Sequence, residues 1–232
     1  AAKKCVLVLH TDAIDEAGTD LVSVRRSLTD QGKQNIFFST EKIQPPQLNL
    51  LYNIADVTIL PSFNEGWGLS MTESLAAGTM IIGTVTGGIQ DQMRFEDETG
   101  KWIDFSLDFP SNHRGTYKTC GEWAVPMFSS NISLSGGVPT PYIYDDRVSP
   151  EDIAEALYKV YMMSPEERKE RGLKGREWIM SEEAGFTAER MGQRMIDVMD
   201  EGFLKFKPRS KYTLKKIGER ESTFINYKLL YE

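Results

Sequence analysis

Two glutamates, Glu65 and Glu73, stand eight residues apart in "LPSFNEGWGLSMTESLAAG", a segment that begins at Leu60. Gly66-Trp67-Gly68 follows the first, and an apolar, helix-favouring run holds the second. A carboxylate only accepts hydrogen bonds, so one such group can take two neighbouring hydroxyls. A helix N-terminus offers free backbone N–H groups and a partial positive charge, a combination that suits phosphate. Glycine lets the backbone approach a ligand closely. A diphosphate over the glycines, with one acid on ribose hydroxyls and the other on sugar hydroxyls, describes a nucleotide-sugar site. A plainer arrangement also fits: an acid near a helix start, and a second acid on that helix's surface.

Either arrangement needs a strand ending near Pro61 and a helix beginning near Gly68. The surrounding sequence supplies both. "CVLVLH", "NIFFST", "DVTILPS" and "MIIGT" are short apolar runs of β-formers and read as buried strands. Between them, "TDLVSVRRSLTDQG" reads as a helix ended by Gly32. "QPPQLNLLYNIA" reads as one opened by a proline pair, and "GWGLSMTESLAAG" as one ended by Gly78. Strands alternating with helices imply βαβ units and a parallel sheet. Ligands of such sheets sit at the carboxyl ends of strands, here Pro61 to Gly66 and Thr84 to Gly88.

The stretch from Phe105 to Asp146 is rich in Gly, Pro, Ser and Asn, and reads as a long excursion with short local elements. Helices return at "SPED" from Ser149 and "SPEE" from Ser164, each with a serine N-cap, a proline at the first position and acids behind it. "TAERMGQRMIDVMDEGF" is a further amphipathic helix with Met191, Met195, Ile196 and Met199 on one face. The expected organisation is a domain over residues 1–203 followed by a basic tail over 204–232, with Lys205, Lys207, Arg209, Lys211, Lys215, Lys216 and Arg220. That tail reads either as a contact for an anionic partner or as a solvated arm.

The chain has 232 residues and a net charge of −7, which argues against DNA binding by bulk charge. Its two cysteines, Cys5 and Cys120, lack metal-ligand spacing and read as reduced thiols of a cytoplasmic protein. No stretch reaches membrane-spanning length, and no signal peptide is recognisable. His10 and His113 form no obvious ligand cluster and read as structural or surface residues.

The segment "ADVTILPSFNEGWGLSMTESLAAGTMIIGTVTGGIQD" resembles the donor-binding half of retaining glycosyltransferases of the GT-B fold, family four. Pro-Ser at a strand end, Glu-Gly-aromatic-Gly-Leu, a second Glu, a Gly before the next strand and Gly-Gly beyond it all occur in order. "VSPEDIAEALYKVYMMSPEERKERGLKGREWI" and "GFTAERMGQRMIDVMDE" are similar to the family's closing helices. The resemblance covers most of Cys5 to Glu201 except the excursion, and the fold it implies is a Rossmann-like, doubly wound parallel α/β sheet followed by C-terminal helices.

By position, the resemblance implies that Glu73 binds the ribose hydroxyls of a nucleotide-diphosphate sugar and that Glu65 is the catalytic-site acid on the transferred sugar. Gly66, Trp67, Gly68 and Leu69 would line diphosphate and sugar. Ser39 and Thr40 would sit beside the base, and Gly87, Gly88 and Asp91 would close the other wall; the family more often has Glu where Asp91 stands. It implies transfer to a glycan or other acceptor with retention, and no cofactor or bound metal, in agreement with the two unclustered histidines.

Two departures stand out. The family's diphosphate-binding Arg and Lys lie on a strand earlier than "CVLVLH", and its acceptor-binding domain comes before that. The expectation is a C-terminal fragment whose first strand and acceptor domain belong to the rest of the protein or to a second chain, inactive alone. The alternatives are a nucleotide-sugar epimerase on the same scaffold and a catalytically silent partner-binding subunit. A dinucleotide oxidoreductase is disfavoured, because no G-x-G-x-x-G follows any strand.

Overall fold

The computed structural model describes residues 4–15, 18–28, 35–103, 106 and 109–209. The chain forms two units, Ala1–Arg190 and Met191–Glu232. In the first, β1 (Leu7–His10) and β2 (Ile36–Ser39) make a parallel pair, with α1 (Leu21–Ser27) between them in the chain. Then come α2 (Pro45–Ile54), β3 (Val57–Leu60), α3 (Leu69–Ala77), β4 (Met80–Thr84), α4 (Gly87–Asp91) and β5 (Ala124–Met127). β3, β4 and β5 form a three-stranded parallel sheet in that order. β6 (Asn131–Gly137) and β7 (Thr140–Arg147) form an antiparallel hairpin, followed by α5 (Pro150–Tyr161) and α6 (Pro165–Ile179). α7 (Ala188–Lys205) runs into the second unit. Among the described residues no helix is long and apolar enough to cross a membrane.

The expected α/β order is present. α2 opens on its proline pair, with the Gln47 side chain accepting from the Gln44 N–H at 2.8 Å. Ser149 and Ser164 cap α5 and α6 by accepting from the backbone N–H groups of Asp152 and Glu167. α1 ends at Ser27, and the expected stop at Gly32 lies outside the described residues. Most of the basic tail, residues 210–232, lies outside them too.

β4 is buried at every residue because both faces are covered. Ile81 and Val85 pack with Met71 and Leu75 of α3, Ile89 of α4, and Trp178 and Ile179 of α6. Met80 and Ile82 face Val125 and Met127 of β5, with Ala156 and Val160 of α5. α6 is rich in charge, yet it comes close through two glycines. A Cβ on Gly172 would strike the Gly78 carbonyl, and one on Gly175 would lie 2.8 Å from Leu75 and Trp123.

One feature differs from the sequence reading. β5 lies inside the stretch read as an excursion; its Pro126 hid it, and the strand sits at the sheet edge, where proline is tolerated. Among the described residues no ladder joins β1–β2 to β3–β5.

Candidate functional site

β3 ends at Leu60, and the chain turns through Pro61–Gly68 into α3. Gly68, the N-cap, has φ +81, a left-handed conformation that a side chain resists. The loop after β4 closes against this turn. A Cβ on Gly87 would overlap the Glu65 carbonyl, and one on Gly88 would lie 2.6 Å from the Gly66 oxygen and 2.7 Å from Trp67 Cα. The Gly88 N–H donates to the Glu65 carbonyl at 3.3 Å, and the Gly87 N–H donates to the Ser111 carbonyl at 2.7 Å. Any side chain at 87 or 88 would push the two loops apart, which gives the Gly-Gly pair its physical reason.

A buried amide sets the loop from beneath. Gln92 Nε2 donates to the Trp67 carbonyl at 2.6 Å, and its Oε1 lies 2.8 Å from the Thr72 hydroxyl. That hydroxyl in turn accepts from Trp67 Nε1 at 2.8 Å. Gln92 is fully buried, so releasing any of these partners would strand a desolvated polar group. The Trp67 ring also meets Phe186 edge-on at 4.8 Å.

Glu65 is half-buried, with Oε1 3.4 Å from the Ser62 hydroxyl. Glu73 projects from α3 and is exposed. Its Oε2 accepts from the Tyr52 hydroxyl of α2 at 2.8 Å. Burial, and then the hydrogen bond to this carboxylate, push the Tyr52 pKa far above its ordinary value, so the phenol stays a donor throughout the physiological range. Tyr52 therefore holds one oxygen of the exposed Glu73 carboxylate. Gly66 borders open space and is exposed.

The structure thus brings Glu65, Gly66, Trp67, Gly68, Leu69, Gly87 and Gly88 together, with Glu73 in the second turn of α3. Asp91 is the last residue of α4. Ser39 and Thr40 stand at the carboxyl end of β2, on the separate β1–β2 pair. There His10 Nδ1 lies 3.1 Å from the Ser39 carbonyl oxygen and 3.0 Å from its hydroxyl. Sequence reasoning missed Tyr52, Thr72, Gln92, Asp146 and Arg147. Only Tyr52 left a signal, an aromatic hydroxyl on the helix that must precede the site strand.

Among the described residues no three His, Cys, Asp or Glu side chains are grouped to hold a metal. A cleft of about 710 Å³ lies along β5 and α5, lined by Lys118, Glu122, Asp152, Lys159 and Arg171 among others, and contains none of the residues above. The candidate site is the Glu65–Leu69 turn, where carboxylates, a helix N-terminus and close-packed glycines converge.

Residues 18–108 match the protein family described as glycosyl transferases group 1. The chain is 28% identical over 88 residues to a D-inositol 3-phosphate glycosyltransferase of Pseudarthrobacter chlorophenolicus, a match covering 38% of this chain and 21% of that protein. It is 42% identical over 59 residues to a protein of the same name from Thermomonospora curvata, covering 25% of this chain and 14% of that protein. These matches span about a fifth or less of the relatives' length. A solved structure, sucrose-phosphate synthase from Thermosynechococcus elongatus, shares the fold with a TM-score of 0.53 at 20% identity, over 86% of this chain and 38% of that one.

Proposed function

We propose that this chain is the donor-binding part of a retaining glycosyltransferase that uses a nucleotide-diphosphate sugar. The observation that carries the reading is the packing of Gly87 and Gly88 on the Glu65–Trp67 turn at the start of α3. It holds the turn that carries the half-buried Glu65 into the N-terminus of α3, with Glu73 in the second turn of that helix. The sugar-transferring names of the matched relatives support the same class. Nothing in them supports the epimerase alternative.

In this reading the Glu73 carboxylate takes ribose hydroxyls, and Tyr52 keeps that carboxylate oriented. Glu65 takes hydroxyls of the transferred sugar. The first amides of α3 and its dipole stabilise the charge that grows on the leaving nucleoside diphosphate. Ser39 and Thr40 stand by the base, Gly87 and Gly88 form the far wall, and the setting is cytoplasmic. An acceptor-binding region, from the rest of the protein or a second chain, completes the cleft around a glycan or other acceptor. The break in the ladder between β1–β2 and β3–β5 supports a strand supplied from there, because parallel strands ordinarily lie within a continuous, covered sheet.

The full-length protein, offered a panel of nucleotide sugars and glycan acceptors, should add one hexose to an acceptor by mass spectrometry and release nucleoside diphosphate. Proton NMR should show the anomeric configuration kept. An inverted product, or an isomerised nucleotide sugar with no transfer, would contradict the reading. The isolated chain should turn over well below about 1 per second.

A further inference from the structure

Among the described residues the β6–β7 hairpin contributes none to either cluster of the core. Contacts from its base reach the two loops that form the candidate site. At its base the Asp146 carboxylate accepts from the Thr86 hydroxyl at 2.8 Å, and the Asp146 N–H donates to the Phe63 carbonyl at 2.9 Å. Thr86 is the N-cap of α4, directly before Gly87, and Phe63 stands two residues before Glu65. Asp146 and Thr86 are both buried, so their bond is sheltered from water. Next along the strand, the Arg147 guanidinium lies 3.7 Å over the Phe63 ring. Ser133 Oγ accepts from Arg147 Nε at 2.7 Å, and Asp145 lies 3.5 Å from its terminal nitrogen.

We propose that the hairpin is a brace for the donor loop and that Asp146 is a positioning residue for Glu65. One residue grips both loops: its backbone holds the Phe63 end of the Pro61–Gly68 turn, and its side chain holds the start of α4. Gly88 then fixes the Glu65 carbonyl from the α4 side. Glu65 is thus located from two directions, and loss of the Asp146 side chain frees one of them. Arg147, held by Ser133 and Asp145, lies over the Phe63 ring and so secures the same end of the turn. The proposal rests on the donor-site reading for its catalytic consequence, but not for the brace itself.

The test uses the full-length protein with Asp146→Ala, Thr86→Ala, the double variant and Asp146→Asn, which keeps an oxygen to accept from Thr86. Hydrogen exchange is read first. Amides in 63–69 and 86–89 should exchange about tenfold faster in both alanine variants, with β4 unchanged and Asp146→Asn close to wild type. The double variant should be no worse than either single one. Unchanged exchange in 63–69 overturns the brace. Nucleoside diphosphates (UDP, GDP and ADP) and their hexose conjugates are used next. Asp146→Ala should keep nucleoside diphosphate affinity within about twofold while kcat for hexose transfer falls about tenfold, and Asp146→Asn should restore it. Equal losses in binding and turnover, or no loss in kcat, overturn the positioning role. Should Asp146→Ala fail to fold, Thr86→Ala breaks the same bond from the other end. A wild-type protein that uses no nucleotide sugar contradicts the donor-site reading and the catalytic part of this proposal, while the exchange arm still decides the brace.

Discussion

β4 and β1 are both short parallel strands of aliphatic residues, and they live in opposite surroundings. Every residue of β4 is buried between helices on both faces. Among the described residues β1 pairs only with β2, and Leu7 and Val8 are 39% and 42% exposed. Across the ladder Phe37 is 53% exposed. The residue types are alike, so composition does not explain the difference; cover does. Parallel strands earn their stability from layers on either side, and a two-stranded pair without them is marginal. The candidate site follows the same division. Its closely packed part hangs on β3 and β4, whereas Ser39 and Thr40 hang on the lightly held pair.

The largest expected effect lies where the two site loops touch. Gly87→Val would drive a side chain into the Glu65 backbone at a position with φ +48, and should cost about 4 kcal/mol in denaturant unfolding. A loss below about 1 kcal/mol would mean that the loops separate freely. Core truncation comes next. Ile81→Ala should cost about 3 kcal/mol, and Val8→Ala less than about 1. Similar losses at the two sites would erase the contrast between the strands.

A pH effect should arise on the packed side. His113 sits among Phe95, Phe109, Tyr117 and Phe128, and its buried Nε2 has no partner among the described residues. Burial, with a smaller repulsion from Lys118, lowers its pKa from 6.5 to about 4. The folded state therefore binds this proton less readily than the unfolded one. Its stability is complete above about pH 6.5 and falls as pH drops through 4, by up to about 3 kcal/mol. His113→Phe should flatten this part of the pH–stability curve; an unchanged slope would assign it to other groups. A cap gives a small effect: Ser149→Ala should cost about 1 kcal/mol through the lost bond to the Asp152 N–H.

Much of this architecture was readable because its punctuation is local. Pro45-Pro46, Ser149-Pro150, Ser164-Pro165 and Gly78 mark helix ends through the chain's own stereochemistry. The Glu65–Leu69 turn was legible for the same reason, since its glycines and acids are neighbours in sequence. The unread parts depend on distance or on misleading residues. α4 opens on two glycines and spans five residues, too few to show a period. The hairpin is broken up by Gly136, Gly137, Pro139 and Pro141, which read as loop. The Thr86–Asp146 bond joins residues 60 apart, and no local pattern announces it. Glu73's partner Tyr52 lies on a different helix, fixed only once α2 packs beside α3.

The central claim is that Glu73 and Glu65 read different parts of one ligand, and calorimetry on the full-length protein tests it most directly. Glu73→Ala should weaken the nucleoside diphosphate and the complete nucleotide sugar alike, by about 1.5–3 kcal/mol, because both contain ribose. Glu65→Ala should leave the nucleoside diphosphate nearly unchanged and weaken only the sugar-bearing donor or its turnover. Equal losses for both ligands in Glu65→Ala, or no loss in Glu73→Ala, would contradict the account and return the segment to a helix start with two ordinary acids.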